Sequence, residues 1–276
     1  MKSVNKTQIA VISGSIVLIV LLLFANTKLP KNKDDVKMSD HAGPNTAGLT
    51  ALIESAKNAL KVDQKKLIQK LEEDIKTSPN KKAAFENIIN QWDSLRQPTV
   101  AAYYTEQAAL ASPTEKNWYE AGNRYYSATR FAKEAERPLL YSKAMECFEK
   151  TLELNPKNVE AKINLGACYV EGSSEPMKGI GMLREVEKTD SNNVNLQLNF
   201  AFFSEKSGQW DRAIARFQKV LKIQPDFIEA YLHLADAYEQ KGDKEKAIEN
   251  LEKYKGLVDD VTIKTEIQDY INKLKN

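Results

Sequence analysis

Residues 231–251 read YLHLADAYEQKGDKEKAIENL, and 34 residues earlier residues 197–217 read QLNFAFFSEKSGQWDRAIARF. Laid over each other, Tyr231, Leu234, Ala235, Tyr238, Gly242, Ala247 and Leu251 fall on Gln197, Phe200, Ala201, Ser204, Gly208, Ala213 and Phe217. A unit this short cannot bury its apolar face alone, so copies must stack on one another and build a solenoid. Gly208 and Gly242 stand where the first helix of each copy must end, the place at which a left-handed residue costs least.

Working back along the chain, Trp118, Ala121, Gly122, Tyr125, Ala144, Phe148 and Pro156 supply the pattern again, and Lys162, Leu165, Gly166, Tyr169, Gly179, Leu183 and Ser191 supply a weaker copy. Gly122, Gly166, Ala201 and Ala235 have no bulk where two helices must approach, while Tyr125, Tyr169 and Tyr238 fill the space beside them. Pro113, Pro156 and Pro225 stop the second helices, and Asn155 and Asp226 next to two of them add turn chemistry. This pattern resembles the tetratricopeptide repeat, a helix-turn-helix unit of about 34 residues. The resemblance implies an all-α chain, a right-handed α-solenoid of tetratricopeptide helix pairs; the residues ahead of it add a transmembrane helix and two extra helices.

Units are expected at 115–158, 159–193, 194–227 and 228–261. A degenerate unit at 80–114 is carried by Phe85, Ile88, Ile89, Trp92 and Leu95, with Ala101 and Ala108 in its second helix. Residues 46–79 read as a helical pair and 262–276 as a capping helix whose apolar stripe includes Ile263, Ile267, Ile271 and Leu274. The 115–158 unit is longer than the others, because Tyr125 to Ala144 spans 19 residues where Tyr238 to Ala247 spans 9. The insert around Phe131 to Tyr141 contains the good helix formers Ala-Lys-Glu-Ala-Glu-Arg, so both helices of that unit are expected to be lengthened, with Arg137 at the corner before Pro138.

Residues 1–6 are a basic flank with Lys2 and Lys6, and from Thr7 to Thr27 no residue is charged. At about 1.5 Å per residue that stretch just crosses a hydrocarbon core of roughly 30 Å, so a transmembrane signal-anchor helix is expected at 7–27. A cleaved secretory signal is the alternative, but Leu23-Phe24-Ala25 lacks the small-x-small cleavage pattern. Residues 28–45 are polar and read as a flexible linker. Lysines lie on both sides of the span, and Lys28, Lys31, Lys33 and Lys37 alone would place the carboxyl side inward. The resemblance to bacterial envelope members of the repeat family implies instead an inner-membrane protein with its domain in the periplasm.

With 40 Lys and Arg against 38 Asp and Glu, the net charge is +2, and most lysines are interleaved with glutamates. A nucleic-acid surface, which needs clustered positive charge, is not expected. No Gly-rich phosphate loop, nucleophile elbow, zincin or EF-hand pattern occurs, and only His41 and His233 are available for histidine chemistry. Catalytic residues, a metal site and a cofactor are therefore not expected. Cys147 and Cys168 read as small packing residues, with a bridge in an oxidising compartment left open.

In the repeat family the first helices line the concave surface. Carried over residue by residue, the partner-facing set includes Tyr119, Asn123, Tyr126, Asn164, Asn199, Phe202, His233 and Asp236, with Glu205 and Glu239 beside them. Asn123, Asn164 and Asn199 are expected to bond a peptide backbone, and Phe202 and Phe203 with Tyr119 and Tyr126 to offer an apolar surface to a partner helix, though aromatic residues at repeat spacing are more often core than contact. Asp236 and Glu239 make the carboxyl end acidic. The basic clamp by which some members hold a chaperone tail is missing, since Tyr119, Asn195 and Asn199 stand at its cationic positions. The expected function is a non-enzymatic, membrane-anchored scaffold or adaptor that binds a peptide or helix of another protein in envelope assembly, secretion or folding. The alternatives are a cytoplasmic-facing docking receptor and an accessory subunit of an envelope enzyme. Self-association through Phe131, Leu139 or Leu140 of the long unit is left open.

Overall fold

A computed structural model describes residues 46–275. The flank, the membrane span and the linker expected over residues 1–45 lie outside the described residues. Among the described residues there are thirteen α-helices and no strand, and no helix is long and apolar enough to cross a membrane. In chain order these are α1 (Thr46–Asn58), α2 (Val62–Thr77), α3 (Lys81–Ser94), α4 (Pro98–Ala111), α5 (Glu115–Ala128), α6 (Arg137–Leu154), α7 (Val159–Gly172), α8 (Pro176–Thr189), α9 (Val194–Lys206), α10 (Trp210–Ile223), α11 (Ala230–Gln240), α12 (Lys244–Leu257) and α13 (Val261–Lys275). From α2 onward each helix packs against the next in sequence, α1 packs on α4, and α7 also touches α5 and α9. This is the stacking of a tetratricopeptide-like solenoid.

The helix ends carry local signals. Thr114, Asn158, Asn193 and Asp243 cap α5, α7, α9 and α12 by accepting from the backbone amides of Asn117, Ala161, Leu196 and Lys246 at 3.2, 2.8, 3.0 and 3.1 Å. Pro98, Pro138 and Pro176 sit in the first turns of α4, α6 and α8, where a missing N–H leaves no bond unmade. Gly208 and Gly242 have φ of +70° and +81°. Their amides bond back to Glu205 and Glu239, and the next amides bond to Ser204 and Tyr238. Arg96, with φ of 55°, makes the same two bonds between α3 and α4, to Asp93, and through Gln97 to Trp92. The turn geometry thus recurs in the stretch where the repeat is hardest to read, with arginine in the glycine position.

Close approach decides two other glycines. A Cβ on Gly122 would meet the Phe148 ring at 2.6 Å, and one on Gly179 would lie 2.3 Å from the carbonyl oxygen of Gly166, so α7 and α8 touch backbone to backbone. The site that aligns with Trp118 and Tyr231 holds Gln197, fully buried between α9 and α10. Its Nε2 donates to the Ser191 carbonyl at 2.7 Å and its Oε1 accepts from Arg216 Nη1 at 2.8 Å, so the polar replacement is satisfied on both ends.

The insert differs from expectation. α5 has 14 residues, as α7 has, and only α6 is lengthened, to 18 residues. Residues 129–136 connect them and contain a 3-10 turn, Glu134–Glu136, while Arg137 is already helical. α5 stops because the Thr129 hydroxyl turns back to the Tyr126 carbonyl at 2.6 Å and the Phe131 amide bonds to Ala128 at 3.0 Å, closing a turn that helix propensity does not override. The extra turn of α6 brings Tyr141 over the end of α7, where a Cβ on Gly172 would lie 2.1 Å from the ring. Tyr126 and Tyr141 both donate to Glu171 Oε2, at 2.9 and 3.3 Å, so the insert braces one unit against the next. Leu140 is buried by this packing and Leu139 half-buried, which leaves Phe131 alone of the three strongly exposed.

Candidate functional site

Side-chain contacts link α5 to α7, α7 to α9, α9 to α11 and α11 to α13, and the residues expected to meet a partner are among those that make them. Among these contacts is a directed chain of amides. Asn199 Nδ2 donates to Asn195 Oδ1 at 3.0 Å, Asn195 Nδ2 to Asn164 Oδ1 at 3.1 Å, and Asn164 Nδ2 to Asn123 Oδ1 at 2.8 Å. Asn164 also reaches the Tyr119 hydroxyl at 3.3 Å, and Asn195 the Glu160 carboxylate at 2.8 Å. Asn164 and Asn199 are each only 8% exposed. The three amides expected to meet a peptide backbone are thus hydrogen-bonded to one another through Asn195. Sequence reading noted Asn195 only as a missing clamp cation; its place four residues before Asn199 put both on one helix face and was the available signal.

Carboxylates extend this network across the unit boundaries. Glu115 Oε1 accepts from Asn155 and Asn158 at 2.8 and 2.7 Å, and Glu160 Oε1 accepts from Asn193 at 2.8 Å. The residues that cap α7 and α9 are therefore tied to the first turn of the preceding first helix. Neighbouring units are held in register by these bonds, and the face from α5 to α9 is pre-organised. Tyr119 and Tyr126 are half-buried and take part in this packing. Tyr119 lies 5.9 Å from the Phe148 ring, and burial pushes its phenol up; Tyr126 is pushed up by burial and by the Glu171 charge.

Toward α11 the face changes character. The His233 ring stacks on Phe217 at 4.8 Å and 7°, and Phe202 meets both edge-on at 5.0 and 5.6 Å. Phe202 remains 37% exposed, so it is packed on one side and open on the other. His233 Nδ1 lies 3.5 Å from Glu205 Oε1, an atom that is buried and accepts no hydrogen bond. Burial raises the Asp236 carboxyl above its ordinary value; a hydrogen bond from Gln240 opposes this, and the charges of Glu205 and Glu239 add to it. Tyr270 of α13 donates its hydroxyl to Glu239 Oε2. Tyr270 falls within the expected capping helix 262–276, and its offset of 34 from Asp236 is the signal that would have brought it beside α11.

Chemically this end offers aromatic surface and carboxylate acceptors, whereas the α5–α9 part offers a closed polar network. Two open depressions, of about 470 and 560 Å³, lie between α12 and α13 and at the α11–α12 turn, apart from the aromatic end. Among the described residues no group of three or more His, Cys, Asp and Glu side chains is placed to hold a metal ion. Cys147 and Cys168 are buried free thiols, both pushed up, first of all by burial, which makes them packing residues.

A family model described as a TPR repeat matches residues 206–242, and one described as a tetratricopeptide repeat matches residues 228–257. The carboxyl-terminal part of the chain thus carries tetratricopeptide repeats. A solved tetratricopeptide repeat protein from Parabacteroides merdae ATCC 43184 is similar in fold, with a TM-score of 0.52 at 16% identity over 83% of this chain and 89% of its own. The structure of YrrB, described as a TPR protein with an unusual peptide-binding site, gives 0.42 at 20% identity over 72% of this chain and 97% of its own. A search of curated proteins finds no match. The first likeness establishes fold alone.

Proposed function

We propose that this protein is a membrane-anchored tetratricopeptide scaffold that binds a peptide or helix of another protein on its first-helix face, without chemistry of its own. The observation that carries the reading is Phe202, 37% exposed on that face within an otherwise packed aromatic cluster. An aromatic side chain held rigid by its neighbours and open on one side is the kind of anchor that dominates protein interfaces. The uncharged stretch 7–27 supports anchoring, and a tether raises the effective concentration of the solenoid near membrane-bound partners. We place the domain in the periplasm of a bacterial inner membrane, where a role in envelope assembly, secretion or folding follows.

A photo-crosslinking residue at position 202, compared with one at Lys150 on the exposed side of α6, tests the face in intact cells. Capture of a reproducible partner from position 202 and not from position 150 is expected; equal capture from both, or none from position 202, refutes the reading. The excess of Lys28, Lys31, Lys33 and Lys37 favours the second reading, a docking receptor facing the cytoplasm. Reporters fused after Asn276, one active only outside the cytoplasm and one only inside, decide between them.

A further inference from the structure

We propose that the end of the first-helix face from α9 to α13 docks a partner segment carrying a lysine or arginine next to an apolar side chain, the apolar group on Phe202 and the cation among Glu205, Asp236 and Glu239. The inference rests on the scaffold reading above and names the chemistry of the segment it would hold. The apolar half of the argument is Phe202. Phe217 and His233 cover its inner side and hold it edge-on, so its exposed side is a fixed surface that loses no side-chain freedom when covered.

Charge complementarity supplies the other half. Elsewhere in this chain carboxylates meet lysines three or four residues away, as Glu73 meets Lys76 at 3.3 Å, Glu153 meets Lys150 at 2.8 Å and Glu249 meets Lys253 at 2.6 Å. Among the described residues no Lys or Arg forms an ion pair with Glu205, Asp236 or Glu239; the one cation in reach is His233 when protonated. His233, Asp236 and Glu239 follow one another at single-turn spacing on α11, and Glu205 of α9 lies against His233, so three half-buried carboxylates gather beside the aromatic surface, with Tyr270 of α13 bonded to Glu239. Like charges kept close cost stability unless a cation joins them. Among the described residues these carboxylates form no group placed to hold a metal ion. An ammonium or guanidinium group extended on an alkyl stem can lie over Phe202 and reach past it to the carboxylates. An acidic or phosphorylated segment would meet only repulsion.

The test is a random dodecapeptide phage library panned on the full chain, with the selected peptides then synthesised and titrated by fluorescence anisotropy. Most selected sequences are expected to carry Arg or Lys within two residues of Leu, Ile or Phe. Asp236→Asn and Glu239→Gln are each expected to weaken binding about tenfold, and added salt to weaken the parent but not the double variant. Both changes keep side-chain shape and relieve repulsion, so folding is retained; Glu205→Gln gives a third, independent reading. Peptides that lack cations and bind the double variant as well as the parent, yet lose affinity on Phe202→Ala, overturn this inference and leave the scaffold reading standing. Failure to select any peptide, or indifference to Phe202→Ala, overturns both. Calcium binding to the parent that the double variant loses would assign the carboxylates to a metal and also overturn it.

Discussion

Replacing Gly179 by Ala adds one methyl group to α8 where that helix touches α7. The same change at Gly181, two residues on in the same helix, adds it where nothing lies within 4 Å. Both variants gain helix propensity of about 1 kcal/mol, so their difference isolates packing. At Gly179 the new Cβ would lie 2.3 Å from the Gly166 carbonyl oxygen and 2.9 Å from Tyr169 Cβ and Val170 Cγ2, against an ordinary contact distance of 3.4 Å or more. A backbone oxygen cannot swing aside as a side-chain tip does, so α7 and α8 must part by about an ångström, a shift their close packing opposes. Overpacking costs roughly 1–3 kcal/mol, and a backbone clash belongs at the upper end. Gly181→Ala is thus expected to stabilise by about 1 kcal/mol and Gly179→Ala to destabilise by about 2 kcal/mol, a separation of roughly 1 M in urea midpoint for a slope near 3 kcal/mol/M. Circular dichroism and tryptophan fluorescence should be followed together, because stacked repeats do not always unfold in one step. Equal midpoints for the two variants would refute the account of Gly179 as a contact between backbones.

The remaining predictions concern the amide chain, the α3–α4 turn and the acidic end. Asn164→Ala removes the partner of Asn123 Oδ1 and of Asn195 Nδ2 together and is expected to cost about 1–3 kcal/mol in the same urea assay; a change within 0.3 kcal/mol would mean that the chain of amides is not a structural element. Arg96→Gly relieves a left-handed arginine and should stabilise by about 1 kcal/mol despite the entropy glycine adds to the unfolded chain, with melting temperature as the check. Asp236 has its carboxyl raised, so the folded state favours the proton. The resulting stability is complete below the ordinary value of 3.8 and is lost as pH climbs through the higher folded value. Asp236→Asn should therefore melt above the parent at pH 7 and lose that advantage in acid; a difference that does not change with pH would exclude repulsion and desolvation as its cause.

What could be read from the amino-acid order is what depends on local, repeated contacts. Gly122, Gly166, Gly208 and Gly242 were placed correctly, because a small residue at a fixed offset or a left-handed turn after a helix is demanded within one unit. The stretch with the clearest period is also the one the family models match. The insert was legible as helical in composition, yet the end of α5 is set by the Thr129 and Phe131 turn bonds and the start of α6 by a 3-10 turn. Propensity summed over the insert does not report such competition.

The candidate site divides the same way. That Phe202, His233 and Asp236 share a face follows from the period alone, since equal offsets in stacked units bring side chains together. That Asn123, Asn164 and Asn199 are closed on one another follows only from the stacked structure. A hydrogen bond between residues 41 or 31 apart depends on the register of one unit on the next and on the rotamer each side chain adopts there. The order of residues determined the repeat, its turns and its first-helix face. Tertiary packing decided which polar groups there satisfy each other and which, like Glu205 Oε1, accept no hydrogen bond.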